Sequence, residues 1–136
     1  MCLSQISNNN EVFQTDEAYN GLQAFNKFSQ MFFKPECSSQ CNKLYYKLII
    51  MDLQMPEMDG FESTQKILQL MEDNPMLLHA PCNIVALTSY TDKQTTDRCF
   101  RIGMKDVIHK PLDYKTLKRI ILMYHFGLTE PQFEEY

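Results

Sequence analysis

The sequence predicts an α/β fold in which a parallel sheet carries helices on both faces. Three observations lead there. Short apolar runs rich in β-branched residues alternate with longer stretches whose apolar residues recur every three or four positions. The runs at residues 48–51, 84–87 and 107–108 each end in polar groups, Asp52, Thr88-Ser89 and Lys110 respectively. The resulting order, strand then helix repeated four times, implies parallel strands joined by right-handed crossovers.

Val12 and Phe13 carry a short strand signal that ends before the turn dipeptide Asn20-Gly21. From Leu22 the period becomes helical: Leu22, Phe25, Phe28 and Phe32 share one face, while Gln23, Asn26 and Lys27 face away. Pro35 closes that helix. Residues 36–43 form a polar excursion with Cys37 and Cys41, and residues 44–51 return to apolar character as the central strand. Its four consecutive apolar residues, Leu48, Ile49, Ile50 and Met51, read as buried on both faces. Pro56 and Gly60 then turn the chain.

Phe61, Thr64, Ile67, Leu68 and Met71 mark the next amphipathic helix, closed by Asp73-Asn74-Pro75. After a loop through Pro81, residues 84–87 form a second buried strand. Thr91-Asp92 caps a helix running to about Ile102, with Gly103 in the position that tolerates positive φ. Val107-Ile108 is a short strand. Residues 113–126 form the last helix, with Leu117, Ile120, Ile121 and Tyr124 inward and Gly127 as its stop.

The 136 residues suit one domain with a real core. Apolar residues at 44% and charged residues at 22% argue against disorder. A net charge of −4 without a basic run excludes nucleic acid and anionic membranes as principal partners. No apolar run is long enough to span a bilayer, and residues 1–10 lack the basic start and apolar stretch of a secretory signal. Five cysteines leave one unpaired in any full disulfide scheme, so a reducing, cytoplasmic setting is expected. Cys37 and Cys41 have no nearby second pair to complete a zinc site, and Cys82 and Cys99 read as small core fillers.

Parallel strands that end together bring Asp52, Thr88-Ser89 and Lys110 to one sheet edge, where open α/β sheets place their ligands. Taken singly, Asp52 is an ordinary strand-to-loop acid, Thr88 a turn hydroxyl and Lys110 a solvated charge. Together they fit an oxyanion, or an acyl phosphate on the carboxylate. Asp52 is then the nucleophile, Thr88 a hydrogen-bond donor to one phosphoryl oxygen, and Lys110 the cation at another. Such in-line transfer normally involves Mg²⁺.

Asp52-Leu53-Gln54-Met55-Pro56-Glu57-Met58-Asp59-Gly60 matches D-x-x-M-P-x-M-D-G, the phosphoacceptor motif of the response regulator receiver domain, at every fixed position. Ala18-Tyr19-Asn20-Gly21 with Ala24, Leu87-Thr88-Ser89 and Lys110-Pro111 resemble further segments of the same family, also found in hybrid histidine kinases. The resemblance covers residues 12–126, leaving 127–136 as a short tail. It implies a flavodoxin-like, doubly wound sheet of order 2-1-3-4-5. It also implies phosphorylation of Asp52 by a phosphohistidine on a histidine kinase or histidine phosphotransfer domain. The unit would be a phosphoacceptor rather than an enzyme. In the family, Mg²⁺ is held partly by the acceptor aspartate and by the backbone carbonyl of the residue matching Gln54, and the lysine-proline peptide is cis.

Two departures qualify those expectations. The family's aromatic switch position is Val107, which has no ring to rotate, so switching coupled to Thr88 is expected to be muted. The family also begins with a strand ending in two adjacent acids and then a helix. Only eleven residues precede Val12, none is aspartate, and Asp16-Glu17 lie too late to replace the pair. The sequence thus reads as a receiver lacking its first β-α unit, with weak Mg²⁺ binding, an open slot beside residues 48–51 and poor stability. A pseudo-receiver serving only for docking is the alternative. An aspartyl-phosphate hydrolase is disfavoured because Gln54 stands where such enzymes carry a second acid.

Overall fold

A computed structural model describes residues 2–7, 10–33, 45–75 and 82–135. Strands β1 (Cys2–Ser7), β2 (Asn10–Glu17), β3 (Tyr45–Asp52), β4 (Asn83–Thr88) and β5 (Asp106–His109) form one sheet of order β2-β1-β3-β4-β5. Helices α1 (Gly21–Phe32), α2 (Gly60–Asp73), α3 (Lys93–Ile102) and α4 (Tyr114–Ile120) connect and cover it, and α4 widens into a π-helical turn at Ile121–His125. The α/β class is as predicted, and β3, β4 and β5 pair in parallel.

Each helix after β2 begins where a side chain closes its first turn. Asn20, Asp59, Asp92 and Asp113 accept hydrogen bonds from the backbone N–H groups of Gln23, Glu62, Thr95 and Thr116. Gly103, at φ +109°, ends α3 in the left-handed conformation predicted for it.

The N-terminal strands correct one expectation. The slot between β2 and β3 is filled, because β1 pairs antiparallel with both neighbours. Antiparallel strands need only a tight turn between them, whereas a parallel pair needs a crossover of a dozen or more residues. The two residues between β1 and β2 suffice for the first arrangement and not the second. The register sets Leu3 against Ile49 and Asp16, and Ile6 against Phe13 and Tyr45. It sets Ser4 against Thr15 and Leu48 on the opposite face, where Thr15 and Glu17 are exposed. Leu48 and Ile50 of β3 are buried.

The two sheet faces make two cores. Ala24, Phe28, Phe32, Ile49, Met51, Ile67, Ile84 and Cys99 belong to the layer beneath α1, α2 and α3. Leu48, Ile50, Val85, Ile108 and Ile120 belong to the layer beneath α4. Leu22 is not part of the first core and is 39% exposed. Gly21 explains this, since its N–H bonds to the Met58 carbonyl (3.0 Å) and sets the buried stripe at Gly21, Ala24, Phe28 and Phe32. Position 22 is then rotated about 100° outward. The last helix shifts similarly. Ile120, Leu122 and His125 are buried, while Leu117, Ile121 and Tyr124 pack half-buried against the core. The π turn carries the buried stripe forward by a residue.

Cys99 is buried and Cys82 half-buried, in keeping with core fillers. Burial pushes the Cys82 thiol up to about 12 and raises that of Cys99, so both are poor nucleophiles. Cys37 and Cys41 lie outside the described residues.

Candidate functional site

Parallel pairing brings Asp52 level with Leu87, and Thr88 level with His109, at one edge of the sheet. The ladder continues past the strand ends: Leu53 N–H donates to Leu87 O (3.1 Å) and Lys110 N–H to Thr88 O (2.9 Å). The backbone thus fixes where all three predicted side chains start.

Asp52 and Lys110 meet directly, with Oδ2 2.6 Å from Nζ. The other carboxylate oxygen, Oδ1, accepts from the Gln54 N–H at 2.9 Å. Both side chains keep contact with solvent, at 24% and 36% exposure, so an incoming group can reach them. Thr88 is fully buried, and its Oγ1 accepts from the Tyr90 N–H (3.0 Å), a local turn that ties the hydroxyl to its own loop. The Lys110-Pro111 peptide is cis, as the resemblance implied.

Three features were missed in the sequence. Ser89 Oγ lies 3.3 Å from Gln54 Oε1, joining the loops after β3 and β4 across the mouth. Ser63 Oγ donates to Gly21 O (2.8 Å), locking α2 to the start of α1. Gly60 lets α2 begin against the turn after Asp52. A Cβ there would overlap the Asp52 carbonyl oxygen and lie 2.9 Å from Leu53 Cα. The only sequence signal for this was Gly60 itself, read as a turn former.

The donors at the mouth do not fit Mg²⁺. Asp59 uses its carboxylate to cap α2. Asp16 accepts from the Tyr46 hydroxyl at 2.7 Å. Glu17 is in register with Cys2, and Cys2 with Ile50, which places it two strands away from β3, about 10 Å. Among the described residues, no three His, Cys, Asp or Glu side chains gather as a metal cluster. Asp52 and a backbone carbonyl at Gln54 would leave water to fill most of an octahedral shell. Val107, the departure from the aromatic position, is half-buried against the core beneath α1–α3. Among the described residues, no helix is long and apolar enough to cross a membrane.

Comparison with known proteins agrees with this geometry. The family model for the response regulator receiver domain matches residues 1–122. Hybrid signal transduction histidine kinase B of Dictyostelium discoideum is 38% identical over 102 residues, covering 71% of this chain and 4% of that protein. Osmosensing histidine protein kinase SLN1 of Saccharomyces cerevisiae is 33% identical over 105 residues, covering 76% of this chain and 7% of that protein. The chain therefore spans only a small fraction of the curated relatives it matches. Among solved structures, the receiver domain of the S. cerevisiae response regulator Ssk1, crystallised with the histidine phosphotransfer protein Ypd1, superposes with a TM-score of 0.62. It is 26% identical and covers 83% of this chain and 72% of that one.

Proposed function

Since the chain belongs to the response regulator receiver domain family, a phosphoacceptor module of phosphorelay signalling, we propose that Asp52 is its phosphorylation site. The observation that carries this reading is the Asp52–Lys110 pair of 2.6 Å at the end of a buried strand, inside the complete D-x-x-M-P-x-M-D-G motif. The donor is a phosphohistidine on a histidine kinase or histidine phosphotransfer domain. One Asp52 oxygen attacks phosphorus, an O–P bond forms, and the N–P bond breaks with its electron pair returning to the imidazole. The imidazole leaves neutral when its other nitrogen is already protonated. Lys110 pairs with one phosphoryl oxygen and Thr88 donates to another, adding charge-assisted contacts to the product.

The receiver unit is read as residues 12–126 together with β1, which shares their sheet, with 127–136 as a tail. In this reading β1 stands in the slot of the family's first strand, in a sheet otherwise arranged in the family's 2-1-3-4-5 order, and the family's first β-α unit is not supplied by this chain. Because β1 holds no acidic residue, it brings no acidic pair to the Asp52 edge. Mg²⁺ accordingly binds weakly, and the unit acts in the cytoplasm. Val107 leaves the Thr88 loop without a ring to reposition, which mutes any conformational output.

The missing metal donors favour a second reading, a pseudo-receiver that docks without taking phosphate. Incubation with a radiolabelled histidine phosphotransfer domain separates the two. Label transferred to the parent protein and lost in Asp52→Asn supports the phosphoacceptor; an unlabelled parent that still co-elutes with the donor supports the pseudo-receiver.

A further inference from the structure

The outer face of the last helix is basic in an otherwise acidic chain. Lys115, Lys118, Arg119 and Leu122 recur at three- and four-residue steps, so they share one face of α4 and the turn that extends it. Leu117, Ile120 and Ile121 pack on the sheet, which turns that face outward. Leu122 is nevertheless buried. Gly127 at φ +71° reverses the chain there, and Leu128 N–H donates to Leu122 O (2.9 Å), folding the following segment back. A 3₁₀ turn at Glu130–Glu135 follows, fixed at its start by the Thr129 N–H and hydroxyl, which donate to Gln132 Oε1 (2.7 and 2.9 Å). Between helix and turn lies a groove of about 640 Å³. Lys115, Lys118 and Arg119 wall one side, Glu130 and half-buried Phe133 the other, and Leu122 lies at the floor. We propose that this groove docks an acidic segment of a partner protein that presents one large apolar side chain.

Charge complementarity selects the occupant. α4 holds three cations within residues 115–119 and no acid, whereas the whole chain carries a net charge of −4. An acidic segment is therefore repelled by the chain as a whole and attracted here. Lys115 is exposed, and Asp106 holds one nitrogen of the Arg119 guanidinium at 3.5 Å, which fixes it at the rim. Lys118 already interacts within the chain, so Lys115 and Arg119 carry the attraction. Leu122 and Phe133 offer apolar surface deeper in, where a Leu or Phe of the partner is desolvated. An oligonucleotide would satisfy the cations but not that floor, and its phosphates would meet Glu130. Glu130 and Phe133 lie beyond residues 1–122, the part matched by the family model, so the second wall is separate from the phosphoacceptor machinery.

This inference goes beyond the phosphoacceptor reading and needs no phosphate on Asp52. Its test uses the full chain, labelled with nitrogen-15, and follows amide shifts on titration with synthetic hexapeptides. One has Glu-Glu ends and a Leu-Phe centre, one keeps those ends around Ser-Ser, and one has Lys-Lys ends around Leu-Phe. The first is expected to give saturable shifts confined to residues 115–122 and 130–133. The other two are expected to bind more weakly by about fivefold or more. Lys115→Glu and Phe133→Ala should each weaken the first peptide by about fivefold or more, and Glu130→Gln should tighten it by about twofold. Lys115 and Glu130 are exposed, so those variants keep the fold, and circular dichroism verifies Phe133→Ala. Asp52→Asn should bind like the parent, which separates this result from the fate of the phosphoacceptor reading. No saturable shift at millimolar peptide, equal binding of either control peptide, or unchanged affinity in Lys115→Glu would overturn the proposal. So would shifts centred on Gln54 and Ser89 at the Asp52 mouth. Equal shifts from a short oligothymidylate would make the face a phosphate site instead. Concentration-dependent shifts without peptide, with a dimer on size-exclusion chromatography, would make it an interface between copies. Either result would also overturn the proposal.

Discussion

Replacing Gly60 with alanine places a methyl group where α2 meets the turn after Asp52. The added carbon would overlap the Asp52 carbonyl oxygen and lie 2.9 Å from Leu53 Cα and 3.0 Å from the Asp52 carbonyl carbon. All three are backbone atoms, so no side chain can swing aside. Relief requires moving the start of α2 by about half an ångström or more, since ordinary carbon–carbon contact begins near ~3.5 Å. Overpacking of this kind costs about 1–3 kcal/mol. The higher helix propensity of alanine offsets up to about 1 kcal/mol. At ~2.1 cal/mol/K per residue, a chain of 136 residues loses about 3.5 °C per kcal/mol, so a net cost of up to about 3 kcal/mol lowers Tm by up to roughly 10 °C. Because the shift passes through the backbone of residues 52–54, the Gln54 amide signal should also move. Gly127→Ala is the control: its Cβ meets nothing within 4 Å, and only the positive φ of +71° is penalised, by about 1–2 kcal/mol. That variant should melt lower yet leave the Gln54 amide unchanged. A Gly60→Ala protein that melts with the parent and keeps its Gln54 signal would refute the close-approach argument.

Asp59→Ala removes the cap of α2 and should cost about 1 kcal/mol, read as a lower urea midpoint with an unchanged slope. His125 is buried, and desolvation, followed by the charge of Lys47, lowers its pKa from 6.5 to about 4. The unfolded chain therefore binds a proton between those values that the folded chain refuses. The stability contribution is full above about pH 6.5 and is lost as pH falls toward about 4. Urea midpoints across that window should fall in the parent and fall less steeply in His125→Leu. With both thiols raised by burial, Cys82 and Cys99 should resist iodoacetamide at pH values near 8 in the native protein and react after denaturation, as peptide mass spectrometry would record.

Strand ends and helix faces were legible because burial imposes periodicity on the residues that make them. The three strands ending at Asp52, Thr88 and Lys110 could be placed from their apolar runs, and Asp92 and Gly103 from cap chemistry. The first strand was not legible. Residues 2–7 carry few apolar groups, and what holds them is backbone pairing to β2 and β3, a long-range register that periodicity does not record. Leu22 was misplaced for a related reason: the rotation of α1 is set by the Gly21–Met58 bond to a distant loop rather than by its own pattern. In the site, residue types were readable but engagement was not. Asp59 stands in sequence as one residue of the motif, and only the structure shows its carboxylate committed to a helix cap. The Ser89–Gln54 contact joins two loops that lie 35 positions apart.

The central claim, that Asp52 takes the phosphoryl group, is tested most directly by borohydride reduction of the labelled protein followed by tandem mass spectrometry. Borohydride converts an aspartyl phosphate to homoserine, marking the acceptor position. After exposure to a phosphorylated histidine phosphotransfer domain, the conversion should map to residue 52 and be absent from Asp52→Asn. Conversion at any other carboxylate, or labelling that persists unchanged in Asp52→Asn, would contradict the account.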